Sequence, residues 1–201
     1  MKELQLLLDI GHGINTAGKR WTIGGVTFYE WEFNRDIVKR VAVQLKDLGI
    51  PYHIIVPEDY DVSLGERCRR ANAICAKYGK DNCLFISAHS NASVNHDAHG
   101  VSVWTSKGQT KSDKYAEEWW YEGQKEFVHS RMMKDMSDGD HDYESNFYVL
   151  KNTICPAILL EAFFYDNEKD FKYLLSEEGR EQIAKWYVNS IKRCIELHKK
   201  M

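Results

Sequence analysis

Proline is nearly absent from this chain, 3 residues in 201, and glycine, at 13, is no richer than in an ordinary domain. That leaves no Pro/Gly/Ser-rich linker, and no repeat or low-complexity tract interrupts the sequence. Cysteine occurs five times, at positions 68, 75, 83, 155 and 194, an odd number without CxxC spacing. A disulfide framework and a cysteine-based zinc site are both disfavoured, and reduced, buried thiols are expected. An excess of one charge is missing too: 27 basic against 30 acidic residues leave −3, whereas a nucleic-acid binder is expected to be clearly basic. Long hydrophobic runs are absent, and nothing approaches the ~18 apolar residues of a membrane span. At the start, MKELQLLLDIGHG offers only Leu4 to Leu8, broken by Gln5. A secretory leader needs about 7–15 apolar residues followed by a small-residue cleavage site.

What is present is the mixture of a single globular domain spanning residues 1–201, 43% hydrophobic and 28% charged. Such a chain buries its core without staples. Leu4 to Asp9 is a short apolar run closed by Gly11 and Gly13, which predicts a buried strand. A long loop is expected next, through Gly18, Gly24 and Gly25, and then a helix from Trp31 to Leu48 stopped by Gly49. Tyr52 to Val56 predicts a second strand. Ser63 is an expected N-cap with Glu66 as its capping-box partner, opening a helix to Tyr78. Further strands are predicted at Cys83 to Ala88, Gly100 to Thr105, Phe147 to Leu150 and Ala157 to Leu160. Helices are predicted over Lys111 to Lys134, with Trp119 and Trp120 as core, and over Glu177 to Leu197. The acidic stretch from Lys107 to Glu144 is expected to be a solvated face. Strands separated by helices imply an α/β domain with a mixed, mainly parallel, roughly six-stranded sheet flanked by helices.

In such a sheet, sites form beyond the carboxyl ends of the strands. The first strand ends in Asp9-Ile10-Gly11-His12-Gly13, the third in Ser87-Ala88-His89-Ser90-Asn91, and the one before the last helices in Leu160-Glu161-Ala162. Glu30 and Glu32 stand at the start of the first helix. Two imidazoles and a carboxylate suit a catalytic zinc, which keeps one position open for water. A further carboxylate beside it suits proton transfer. Histidines at strand ends are also common as purely structural residues, and the spacing alone leaves both readings open.

Six segments stand in order: LLLDIGHG, ExxxN at Glu30 to Asn34, SLxxRxxxAN from Ser63 to Asn72, FISAHSNA from Phe85 to Ala92, GVSVW from Gly100 to Trp104, and VLKNTICPAILLEAFFYDN from Val149 to Asn167. Together they closely resemble the zinc-dependent N-acetylmuramoyl-L-alanine amidases of the amidase_3 type, found in bacterial autolysins and phage endolysins. The resemblance covers about residues 4 to 195. It implies His12, Glu30 and His89 as ligands of one zinc ion and Glu161 as general acid/base. Glu30 is preferred over Glu32 because it lies four residues before Asn34. Ile10 replaces the proline of the family's DPGHG, a change in loop stiffness. Arg67 and Asn91 are candidate substrate contacts, each with a structural alternative: an ion pair for Arg67, a loop anchor for Asn91. His96, His99 and His141 are expected in loops, outside the ligand set.

The implied activity is hydrolysis of the amide between N-acetylmuramic acid and L-alanine in peptidoglycan, by water activated through the metal and a glutamate. The alternative is a zinc carboxypeptidase-like amidohydrolase acting on soluble peptides or N-acyl amino acids. A non-catalytic wall-binding module is disfavoured, since all four chemical positions are filled. The expected protein is a monomer with peptidoglycan as partner, no nucleic acid, no membrane span and no separate wall-binding domain. Its expected location is cytoplasmic until release to the wall, or beyond the membrane if a leader has been removed.

Overall fold

The first strand, β1 (Gln5–Ile10), is buried along its whole length, and its sequence is apolar except at Gln5 and Asp9. The computed structural model describes residues 2–201. After β1 come a hairpin of β2 (Arg20–Ile23) and β3 (Val26–Tyr29), then α1 (Glu30–Asp47), β4 (Tyr52–Ile54) and α2 (Leu64–Tyr78). The middle of the chain forms β5 (Cys83–Asn91), β6 (Val101–Thr105), α3 (Lys111–Glu126), β7 (Tyr143–Glu144) and α4 (Tyr148–Asn152). It finishes with β8 (Ala157–Phe164), α5 (Glu168–Leu175) and α6 (Glu177–His198).

Six strands form one sheet in the order β4-β1-β5-β8-β6-β7. The β4-β1-β5-β8 block is parallel; β6 runs antiparallel to β8, and β7 parallel to β6. The expected mixed α/β architecture is therefore the one observed. From β1 the chain crosses by α1 to β4 on one side, then returns by α2 to β5 on the other. Right-handed crossovers in opposite directions place α1 and α2 on opposite faces. They also open a crevice between the carboxyl ends of β1 and β5. Helix α6 packs on α1, α3 and α5, while α2 packs on α4. No helix among the described residues is long and apolar enough to cross a membrane.

Several expectations need correction. Residues Phe147 to Leu150, expected as a strand, instead begin helix α4. A short apolar run does not distinguish a buried strand from a buried helical turn. Here the turn buries Val149 and Leu150 and exposes Lys151 and Asn152, a one-sided pattern that suits a helix. The sixth strand is β7, two residues at the end of the acidic stretch expected as a solvated face. Helix α3 stops at Glu126 rather than Lys134, because residues 131–133 turn back to hydrogen-bond with Val101. The loop expected after β1 contains the β2–β3 hairpin, whose Gly24-Gly25 turn has positive φ at both positions (59° and 82°). Ser63 does cap α2, accepting the Glu66 N–H, but the Glu66 carboxylate pairs with Arg69 and Arg70 rather than closing the box. A full capping box forms instead at Thr110 and Asp113.

The two tryptophans of α3 are core, as expected. Trp119 meets Trp186 and Tyr187 of α6 edge-on, at ring separations of 5.3 and 4.9 Å. The Trp186 indole N–H donates to the Trp119 carbonyl at 3.0 Å. All five cysteines are buried free thiols. The acidic stretch is less solvated than expected, since Asp113, Glu122 and Asp142 are buried. Asp142 accepts the Thr105 hydroxyl at 2.6 Å. Burial, with Asp140 and Asp113 nearby, pushes its carboxyl up to about 8.

Two outcomes follow for stability. Trp186→Ala is expected to cost about 3–5 kcal/mol in urea unfolding, the usual loss for a large aromatic removed from a packed core. For Asp142, the folded chain keeps a proton that an unfolded aspartate releases at an ordinary pKa of about 3.9. The stability from this group is complete below about pH 4 and is lost as pH rises through about 8. Asp142→Asn retains an acceptor for Thr105 and removes the charge. Its Tm relative to the parent should rise between pH 5 and pH 9, and thermal melts showing a constant difference would refute this.

Candidate metal and catalytic site

Four of the sequence-predicted residues meet at the β1–β5 crevice. His12 follows β1, His89 lies near the end of β5, Glu161 lies on β8 level with His89, and Glu30 is the first residue of α1. Glu30 is buried and Glu32 exposed, so the helix register separates the two glutamates in space. Glu30 is held by its own N–H, which donates to the Lys19 carbonyl at 3.0 Å, and by the Ser90 N–H, which donates to Oε1 at 3.3 Å.

His12 is aimed by an unusual backbone. It adopts φ 61°, while its glycine neighbours are not in the left-handed region. The glycines serve close approach instead. A Cβ on Gly11 would lie 2.4 Å from the His89 ring, and one on Gly13 would lie 2.0 Å from the Asp61 nitrogen. The space beside both glycines is thus filled by the protein itself. Phe163, two residues after Glu161, has φ 63°, and the β5–β8 register shifts between His89 and Asn91. Strained backbone of this kind persists where the surroundings hold it, and it clusters at functional sites.

His89 Nδ1 lies 3.0 Å from Glu30 Oε1, and His12 Nε2 lies 3.2 Å from the same oxygen. The imidazole rings are 4.8 Å apart and nearly perpendicular, at 86°. One ligand atom from each of His12, Glu30 and His89 can be chosen so that all lie within 4.8 Å of one another. His12 Nε2, Glu30 Oε2 and Glu161 Oε2 are buried without a hydrogen-bond partner. Orphaned buried atoms are costly unless something satisfies them. Two imidazoles, a carboxylate and unsatisfied lone pairs make a donor set that fits zinc.

The electrostatics separate the two glutamates. Burial pushes the Glu30 carboxyl upward, but the facing imidazoles of His12 and His89 outweigh it and hold it well below the usual carboxylate range. For His89 burial pulls downward, and the adjacent Glu30 outweighs it, so its pKa is raised. For His12 burial prevails and its pKa is lowered. Burial pushes the Glu161 carboxyl up to about 7, against the pull of His89. Such a group exchanges a proton readily near neutral pH.

A cavity of about 450 Å³ opens on this cluster, lined by His12, Lys19, Arg67, His89 and Glu161 together with the apolar side chains of Leu64 and Phe147. Arg67 is 2% exposed and fully bonded: Nε to the Val62 carbonyl, Nη1 to Asp9 and the Ile10 carbonyl, Nη2 to Asp61. Asn91 is not among the lining residues, and its side-chain oxygen accepts the N–H of Ala92. His96 pairs with Asp166 and stacks on Trp21. His141 pairs with Glu117 and stacks on Trp120.

Other supports escaped sequence reasoning. The Asn34 amide donates to the Gly11 carbonyl at 3.1 Å and Arg35 donates to the His12 carbonyl at 3.1 Å, tying α1 to the histidine loop. Ser87 donates to Asp9 at 2.6 Å. Only Asn34 carried a signal, as the partner residue of the ExxxN segment.

Comparison with known proteins gives the same answer. Residues 6–193 match the Amidase_3 family, described as N-acetylmuramoyl-L-alanine amidase. The chain is 28% identical to the uncharacterized protein YqiI of Bacillus subtilis (strain 168) over 190 residues, covering 92% of this chain and 81% of YqiI. It is 26% identical to the N-acetylmuramoyl-L-alanine amidase LytC of the same organism over 182 residues, covering 89% of this chain but only 33% of LytC. The crystal structure of N-acetylmuramoyl-L-alanine amidase from Clostridium difficile 630 superposes with a TM-score of 0.81 at 25% identity, covering 98% of each chain. By its sequence match and by the fold that carries the His-Glu-His cluster, the chain belongs to the Amidase_3 family of N-acetylmuramoyl-L-alanine amidases.

Proposed function

We propose that the protein hydrolyses the amide joining the lactyl group of N-acetylmuramic acid to L-alanine in peptidoglycan, with one zinc ion held by His12, Glu30 and His89 and with Glu161 as general acid/base. The observation that carries this reading is Glu161 itself. It is a carboxyl group near neutral pKa with a free Oε2, lining the same cavity as His12 and His89. A zinc ion bound by those three residues would supply a Lewis acid able to polarise a carbonyl and acidify water.

The protein's own groups do the rest. Glu161 Oε2 takes a proton from the attacking water and returns it to the leaving nitrogen. The water oxygen ends on the lactyl carboxyl, and the proton on the free amine of L-alanine. The buried position of Glu161 keeps its carboxyl in the range where both transfers are easy. Arg35 and Asn34 hold the loop that aims His12, and Ser90 holds Glu30. Support for the substrate comes from the family and from the named relatives; support for the roles comes from the cluster's geometry.

Mass spectrometry of purified peptidoglycan incubated with zinc-loaded protein should show stem peptides with a free L-alanine amine and glycan strands lacking peptides. An intact wall alongside hydrolysis of soluble N-acyl amino acids would replace this reading with the carboxypeptidase-like one. Glu161→Gln should lose ~10²–10⁴-fold in kcat, the usual contribution of a positioned general acid/base. It should still bind one equivalent of zinc by metal analysis. Native activity in that variant would remove Glu161 from the mechanism.

A further inference from the structure

Lys19 lines the catalytic cavity, yet the reaction described above gives it no part. Its place is fixed by the backbone: its carbonyl accepts the Glu30 N–H at 3.0 Å, locking the residue to the start of α1 and to the cluster itself. Its side chain is 43% exposed, and the ammonium stands 3.9 Å from Glu30 Oε2, its one salt-bridge partner among the described residues. That contact is long. Glu30 already has the imidazoles of His12 and His89 beside it, and a metal held by these three residues would take up the same carboxylate charge. The ammonium is then left to solvent or substrate.

The other full cation in the lining is Arg67. Its guanidinium is spent on Asp9, Asp61 and the carbonyls of Val62 and Ile10. Among the described residues, Lys19 is thus the lining cation with charge to offer an incoming anion.

The chemistry of the proposed substrate says where that anion is. In uncleaved muramoyl peptide the lactyl carboxyl is consumed in the scissile amide, so the sugar side next to the bond is uncharged. The nearest anion lies on the peptide side. It is the α-carboxylate of the second stem residue when that residue is D-glutamate linked through its side chain, and it is absent when the residue is amidated to D-isoglutamine. Two residues of extended chain reach about 7 Å. That span is within range of a flexible lysine stem rooted beside the metal ligands.

We propose that Lys19 binds the free α-carboxylate of the second stem residue and makes the enzyme selective for unamidated stem peptides. This inference rests on the amidase reading, and it goes further by naming the residue that selects among stem peptides. A charge-assisted hydrogen bond to one substrate and its absence in the other corresponds to about 10–100-fold in kcat/KM.

The test compares two soluble muramoyl peptides that differ only in D-glutamate or D-isoglutamine at the second position. They are assayed with zinc-loaded wild type, Lys19→Met and Lys19→Arg, with zinc content measured for each protein. The wild type should favour the D-glutamate substrate by about 10–100-fold, mostly through KM. Lys19→Met should bring the ratio close to one, and Lys19→Arg should keep most of it. Taking the ratio of two substrates on one protein cancels any shared change in metal loading or folding. A wild-type ratio near one, or the same ratio in Lys19→Met as in wild type, overturns the role of Lys19 and leaves the amidase reading intact. Failure of the zinc-loaded wild type to hydrolyse either peptide or peptidoglycan overturns the amidase reading, and this inference with it.

Discussion

The guanidinium of Arg67 lies in the interior with Asp9, at 2.9 Å, and this pair joins several parts of the site. Asp9 belongs to β1 and takes a second hydrogen bond from Ser87 of β5. Arg67 belongs to α2 and also reaches Asp61 and the carbonyl of Ile10. One charge pair thus ties two neighbouring strands, a helix and the residue that begins the histidine loop. Buried ions are tolerated only when paired and hydrogen-bonded, and breaking such a pair costs about 3–5 kcal/mol because it strands the other charge. Ile10 lies two residues before His12 and Ser87 two residues before His89, so this network anchors the chain just ahead of both histidines.

The site built on that frame divides its two carboxylates by environment. Glu30 is buried and Glu161 half-buried. Glu30 faces two imidazoles and stays ionised, as a ligand must. Glu161 lines the cavity with His12 and His89, its Oε2 has no hydrogen-bond partner, and burial raises it towards neutrality. Identical side chains in one site acquire different chemistry through what touches them. The left-handed φ at His12 fits the same picture, with strain accepted where backbone direction aims a ligand side chain.

Much of this was legible beforehand. The parallel strands are buried on both faces, so β1, β5 and β8 carry short apolar runs, at residues 6–8, 83–86 and 157–160. The helices α1, α2 and α6 carry clear periodicity and stop signals such as Gly49 and Gly79. The four chemical residues stood at strand ends or a helix start, where an open α/β sheet gathers its site. Less legible were short elements whose identity depends on their neighbours. Val149 and Leu150 form a helical turn because α2 offers a surface to pack on, and α3 ends early because residues 131–133 pair with β6. The Gly24-Gly25 hairpin did carry a local signal, two glycines between alternating side chains, which a longer loop assignment concealed.

By itself the sequence determined the layer order of strands and helices, the family, and the residue types available for chemistry, because periodicity, turn residues and ordered motifs are properties of nearby positions. Tertiary structure alone decided which groups are spent and which are free. Arg67 is consumed by Asp9, Lys19 lines the cavity with only a long contact to Glu30, and Glu161 is lifted towards neutral pH. Those outcomes depend on burial and on partners dozens of residues away, and neither is written in the local order of the chain.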